Sequence, residues 1–256
     1  MELFTTTSAA HRRAGNCVVV GVYANGKPGR AALDIDEASS GHLTKLIKSG
    51  DISGKEGSTL MLSQVSGVRA SRVLVVGLGK ISKFNVPALR RAARATASAL
   101  RGSRIRDVVS YLGLEDIGDT SAYYRARYTV EDIGKSLYAF HETKSGRKPP
   151  APALRKIGIA TATRSEATKA RAGAEHGAAI VAGMSLARDL GNLPPNVCTP
   201  AYLARTAQKI GRQHKAVTTR VLNEAEIRRL GMHSFLSVTG GTTLPAKLIL
   251  MPVSYT

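Results

Sequence analysis

Six histidines, His11, His42, His141, His176, His214 and His233, are the first side chains to weigh for metal chemistry. Two histidines that share a metal on one helix stand three or four residues apart, because those positions face the same way. No pair here has that spacing and no HExxH occurs, so the six read as surface or packed histidines. Nucleophilic chemistry has no better footing. There is no GxSxG elbow, and neither Cys17 nor Cys198 has a histidine close by in sequence. Cys17 heads the apolar run CVVVGV and reads as a small buried hydrophobe. Val76-Gly77-Leu78-Gly79-Lys80 follows an apolar run, but Ser82 stands where a dinucleotide fingerprint needs its third glycine. The segment reads as a tight strand-exit turn.

Charge is the next signal. The 256 residues carry 37 Lys and Arg against 18 Asp and Glu, a formal charge of +19. That balance favours polyanions such as nucleic acid. Arg90, Arg94 and Arg101 share one side of a helical pattern, at spacings that could line a phosphate backbone, and DNA is the partner the charge suggests. The alternative use of the same three residues is a solvated helix face. Aromatics are 5% of the chain with no tryptophan, so base-stacking platforms are not evident. Two cysteines far apart suggest no disulfide framework and fit a reducing cytosol. No apolar run reaches the ~20 residues of a membrane span, and the N-terminus has no signal-peptide pattern. The expectation is a cytoplasmic protein with no membrane partner.

The elements that must position these residues alternate. Strands are expected at Cys17 to Val22, Thr59 to Leu62, Arg72 to Gly77, Asp107 to Leu112 and Leu154 to Ala160. Helices are expected at Gly41 to Ser49, Pro87 to Leu100 and Val130 to His141, and Ser145 to Pro152 (SGRKPPAP) reads as an exposed loop. This is an α/β pattern with a mixed central sheet. Arg164 to Leu190 then forms one long helical pattern, with Gly173 and Gly177 on a stripe where another element can approach closely. The expected domains are residues 1–163, an N-terminal α/β domain, and residues 164–256, the incomplete start of a second α/β domain. In the second, Thr199-Pro200 reads as an N-cap and first-turn proline, opening a helix with Leu203, Ala207 and Ile210 inward. Strands are expected at Val217 to Leu222, Ser234 to Val238 and Lys247 to Met251, and Asn223 with Glu226 as a capping box.

Between the long helix and the next lies ARDLGNLPPNVCTP, Ala187 to Pro200. By chemistry alone it is a structural corner: prolines fix φ and asparagines satisfy loose helix-end groups. As a sequence it resembles the opening of the catalytic domain of leucyl (cytosol) aminopeptidases, through Arg188, Asp189, Leu190, Asn192, Pro194, Pro195, Asn196, Thr199 and Pro200. VLNEAEIRRLGMHSFLSV, Val221 to Val238, and LPAKLILM, Leu244 to Met251, continue the resemblance. SQVSGVRASRVLVVGLGK, Ser63 to Lys80, resembles a strand of that family's N-terminal domain.

The resemblance implies removal of N-terminal residues from peptides by two divalent metals, manganese or zinc, that polarise the scissile carbonyl and deliver a hydroxide-like nucleophile. It also implies two α/β domains and a homo-hexamer. The family's metal ligands and catalytic lysine and arginine sit in GKGxxFD and NTDAEGR segments, which do not occur here. Gly26-Lys27, Gly54-Lys55, Gly79-Lys80 and Gly134-Lys135 are each followed by another residue than the motif requires. No catalytic or metal residue is therefore assigned to this chain, no metal is expected to bind it, and it is expected to be a truncated and inactive member of the family; the alternatives are a DNA- or partner-binding module built on the basic N-terminal domain, and an active aminopeptidase if the remaining sequence exists.

Overall fold

The computed structural model of the protein describes residues 1–143, 145 and 152–254. The chain divides into two compact units, Met1–Ala139 with Gly146–Ser185, and Phe140–Ser145 with Leu186–Thr256. The division falls inside the long helix, after Ser185, whereas the change in composition comes near position 164.

The first unit is built on a six-stranded sheet. Its strands are β1 (Glu2–Thr6), β2 (Cys17–Tyr23), β3 (Thr59–Ser63), β4 (Arg72–Gly79), β5 (Asp107–Ser110) and β6 (Lys156–Ala160), in the order β1-β6-β5-β2-β4-β3. All neighbours are parallel except β3, which runs antiparallel to β4 at one edge. The central strands are apolar on both sides because helices cover both faces. Along β2 and β4 the side chains alternate between two cores. Cys17, Val19, Leu74 and Val76 join one, with α3 (Val86–Leu100), α4 (Ala122–Leu137) and Ala170 and Ala174 of α5 (Arg164–Asn192). Val18, Val20, Val73 and Val75 join the other, with α1 (Arg30–Ala38) and α2 (His42–Lys48). The period-2 alternation of strand side chains thus gives a three-layer α/β unit with a mixed sheet.

Small residues set the spacing of α4 and α5. A Cβ on Gly173 would collide with the backbone of Tyr123, and one on Gly177 would lie 2.7 Å from the carbonyl of Arg127. The close approach expected of this stripe is made onto α4. In return, Gly134 of α4 gives room to Val181, whose methyls would stand 2.8 Å from an added Cβ.

The second unit holds the C-terminal end of α5, then α6 (Pro200–Gln213), β7 (Arg220–Asn223), α7 (Glu224–Arg229), α8 (His233–Val238) and β8 (Lys247–Leu250). β7 and β8 form an antiparallel pair with Leu222 opposite Leu248. Thr199 caps α6 through Tyr202 N at 3.3 Å, with Pro200 in the first turn, as the sequence leads one to expect. Glu226 accepts from Asn223 N at 2.9 Å at the start of α7. The core is small: Leu222, Ile227 and Ala246 are buried, with Met232, Phe235, Leu236 and Leu248 against them.

Several elements differ from the sequence reading. Ser234 to Val238 lies in a helix, α8, not a strand. Gly231, at φ +69, ends α7, and the chain turns straight into α8, which puts Phe235 and Leu236 on the Ile227 core. A run that short does not distinguish the two periods. On α6 the buried stripe is Ala204 and Ala207, while Leu203 is exposed. α4 starts at Ala122, eight residues before Val130, and stops at Leu137 rather than His141. Its tyrosine-rich first turns are poor helix formers held by packing on α3 and α5. β7 begins at Arg220, with Val217 contributing only a bridge to Val253. β1 and α1 carry weak patterns and have no counterpart in the sequence reading. The expected loop from Ser145 to Pro152 lies almost wholly outside the described residues.

Candidate functional site

In a doubly wound sheet, ligands enter where two neighbouring strands send their connections to opposite faces. Here β2 and β5 are such a pair: β2 leads to α1 on one face and β5 to α4 on the other. An open cleft of about 500 Å³ lies there, lined by Tyr23, Gly29, Arg30, Leu33, Phe84 and Glu115 among others. Glu115, 3% exposed, projects from the loop after β5. Its carboxylate accepts from Tyr23 Oη at 3.0 Å and from the backbone N–H of Arg30, the first residue of α1, also at 3.0 Å. A Cβ on Gly29 would collide with that carboxylate, so a larger residue there would push Glu115 from its place.

The consequence is chemical. The N-terminus of α1 at this crevice is where a phosphate would dock in such folds, drawn by free N–H groups and the helix dipole. Glu115 fills that place with a carboxylate of the chain itself. Burial raises its pKa, with the Tyr23 hydroxyl and the Arg30 N–H partly opposing that rise. A nucleotide phosphate would find this position already taken by the Glu115 carboxyl group. None of Glu115, Tyr23 and Gly29 stood out in the sequence. The only available hint was the run of turn residues from Ala24 to Gly29, between an apolar strand and the weak pattern of α1. The Gly77–Gly79 segment, expected to be a strand-exit turn, is instead the last three residues of β4, paired with Val22 and Tyr23 of β2; Gly79 has φ +74, and an added Cβ on Gly77 would strike the Lys55 carbonyl.

Arg90 and Arg94 of α3, and Arg101 just past its end, each contact α4. Arg90 donates through Nε to Asp132 at 2.6 Å and through a terminal nitrogen to Glu131 at 3.0 Å. Arg94 reaches the other oxygen of Asp132 at 2.8 Å, and Arg101 donates to the carbonyl of Ser136. Lys135 also holds Glu131, at 2.9 Å, and the Arg90 guanidinium lies 4.9 Å from the centre of the Tyr128 ring. Burial alone would raise Glu131, but Lys135 and Arg90 hold it below its usual value. These arginines join two helices.

Metal chemistry asks for several anionic or imidazole donors at one point. Among the described residues no group of three or more His, Cys, Asp or Glu is placed to hold an ion. In the second unit Glu224 pairs with Arg228 at 3.2 Å and Glu226 serves the start of α7. The described residues do not fit a two-metal centre. What the corner from Ala187 to Pro200 does supply is geometry: Val197 and Cys198 both donate to the Pro194 carbonyl at 2.9 Å, turning the chain into the Thr199 cap.

Two family models match in this order along the chain. The cytosol aminopeptidase N-terminal domain covers residues 19–147, and the cytosol aminopeptidase catalytic domain covers residues 185–256. The chain belongs to the cytosol aminopeptidase family. Among curated relatives in this family, a protein named "Probable cytosol aminopeptidase" from Paraburkholderia phytofirmans is 44% identical over 92% of this chain and 46% of its own length. One of the same name from Methylobacillus flagellatus is 38% identical over 98% of this chain and 50% of its own. The chain thus spans about half the length of the curated relatives it matches. Among solved structures, a tomato leucine aminopeptidase mutant superposes with a TM-score of 0.78 at 21% identity, over 98% of this chain and 50% of that one. The bottromycin maturation enzyme BotP, in complex with Mn, gives 0.70 at 24% identity, over 93% and 45%. These likenesses establish the α/β fold. No helix among the described residues is long and apolar enough to cross a membrane.

Proposed function

We propose that these 256 residues form the non-catalytic front part of a cytosolic, metal-dependent aminopeptidase and do not hydrolyse peptides by themselves. The activity to which they contribute is removal of N-terminal residues from peptides by two divalent ions, manganese or zinc, in a homo-hexamer. The observation that carries this reading is a contrast. The family match extends through the Ala187 to Pro200 corner and on to residue 256, yet the described residues within it offer no donor set for a metal. Their part is then architectural. The first unit is a folded α/β body, and the corner fixes the start of α6 through Thr199 and Pro200.

The test is hydrolysis of a leucyl anilide by the purified 256-residue chain, with and without manganese. No release above the buffer rate is expected. Manganese-stimulated release of leucine by this chain overturns the inactive reading. Sequencing the gene beyond the codon for Leu250 in all three frames is a companion test, and a segment encoding GKGxxFD is the expected result.

A further inference from the structure

Among the described residues three carboxyl groups are buried, Glu115, Glu131 and Asp132. Glu131 and Asp132 are held by Arg90, Arg94 and Lys135. Glu115 is different. Its two oxygens accept from neutral donors, Tyr23 Oη and the Arg30 N–H, and it forms no ion pair among the described residues. Each oxygen has used one of about two acceptor positions. The desolvation of such a carboxylate is not offset by a countercharge, and buried charges in folded proteins are as a rule paired. Glu115 thus has room for a further donor, above all a cationic one.

Glu115 lines the open cleft of about 500 Å³ beside β2 and β5, a size within the range of small-molecule sites, about 300–1,000 Å³. Both signs of charge face this cleft. Asp116 stands beside Glu115 on the acidic side. Lys27 and Arg30 are exposed at the edge, and neither side chain has a carboxylate within ion-pair distance among the described residues. Arg30 is also the residue whose N–H holds Glu115, so the two signs come from neighbouring points. Leu33, Ile81 and Phe84 add an apolar wall, and Leu33 and Ile81 are exposed. A simple amine would serve Glu115 but bring a cation toward Lys27 and Arg30. A simple carboxylic acid would serve the two cations and leave Glu115 without a partner. An ammonium and a carboxylate on one carbon, with an apolar side chain, meet all three features together.

We propose that this cleft binds a free α-amino acid with a branched apolar side chain, its ammonium group on Glu115, its carboxylate toward Arg30 and Lys27, and its side chain against Leu33, Ile81 and Phe84. The ammonium group supplies the countercharge that Glu115 lacks, through a charge-assisted hydrogen bond. Every residue of the site belongs to the first unit. Binding here is independent of the aminopeptidase reading, under which the same class of ligand is a reaction product.

The experiment is isothermal titration calorimetry of the full 256-residue chain with L-leucine, in a buffer containing a chelator so that no metal takes part. Two analogues are titrated beside it: isocaproate, which lacks the ammonium group, and isoamylamine, which lacks the carboxylate. Leucine is expected to bind saturably, and each analogue about tenfold more weakly or worse, because each loses one charge-assisted contact. Glu115→Gln keeps an acceptor for the Arg30 N–H and removes the charge, and Arg30→Gln removes the opposite one. Each should weaken leucine by about tenfold or more, with circular dichroism showing that the variant is folded. Glu37→Gln and Lys45→Gln make the same charge changes at exposed positions of α1 and α2 and should stay within about twofold of the parent. No saturable binding at millimolar leucine overturns the proposal. Equal binding of leucine and isocaproate also overturns it, because the cleft is then a bare apolar slot. Unchanged leucine affinity in Glu115→Gln does the same, since the ligand then sits elsewhere. Hydrolysis of the leucyl anilide is read separately, so none of these outcomes alters the aminopeptidase reading.

Discussion

Asp132 on α4 accepts from Nε of Arg90 on α3 at 2.6 Å, and the carboxylate is almost wholly shielded while the guanidinium is about a quarter exposed. Its second oxygen takes Arg94. Removing one member of such a shielded pair costs more than the pair contributes, because the other charge stays desolvated. Asp132→Asn should lower unfolding stability by about 2–3 kcal/mol in urea denaturation, and Arg94→Ala by less than about 1, since Arg94 is nearly half exposed. Equal effects of the two would show that Asp132 is not the centre of the α3–α4 contact.

The same cluster makes an acid dependence. Glu131 is held below its ordinary pKa, so its folded value lies under its unfolded one. Its contribution is present above the unfolded value and is lost as pH falls through the folded one. Glu115 runs the other way: burial raises its folded value, so stability is fully present below the unfolded value and is lost as pH rises through the folded one. Glu115→Gln keeps an acceptor for the Arg30 N–H and removes the titration. The variant should lose less stability than the parent protein between pH 4.5 and pH 7.5. An unchanged pH profile would show that Glu115 does not titrate differently on folding.

Gly173→Ala drives a methyl into the backbone of Tyr123 at the α4–α5 crossing. Overpacking of this kind costs about 1–3 kcal/mol. Gly183→Ala, on the same helix with nothing within 4 Å of the added Cβ, should stabilise by a few tenths of a kcal/mol through helix propensity. Thermal unfolding of the two variants checks the opposite signs.

The two thiols should differ in reactivity. Cys17 is 1% exposed and burial pushes its pKa up to about 12, so it is neither reachable nor ionised near neutral pH. Cys198 is half-buried in the corner before α6. A thiol reagent at pH 8 should label one equivalent in the native chain and two in denaturant, and Cys198→Ser should abolish the native label.

The second unit should open first. Its core cluster is Leu222, Ile227 and Ala246 beside a two-stranded sheet, with Ala204 and Ala207 also buried on α6, against the two larger cores of the first unit. Limited proteolysis is expected to cut beyond Ser185 while residues 1–139 remain protected. Survival of the whole chain at protease levels that cut unfolded controls would count against this.

Signals contained in a few adjacent residues were legible from the sequence. The buried strands β2 and β4 stood out as continuous valine-rich runs, because both of their faces are covered. The α6 cap at Thr199-Pro200 was legible for the same reason, as was the family, carried by the Ala187 to Pro200 corner. α8 was misread as a strand because five residues do not separate a period of 2 from one of 3.6, and only the Ile227 core selects the helix.

The sequence by itself determined the α/β alternation, the family and the excess of positive charge, since each depends only on residue order or count. Tertiary structure alone decided which charges are used. Arg90 lies 41 and 42 residues from Glu131 and Asp132, and nothing local to α3 announces those partners. Glu115 meets the start of α1 85 residues earlier in the chain, only because β5 lies beside β2. An ion pair needs its charges within a few ångströms, and strand order and helix packing set that distance for residues far apart in the chain.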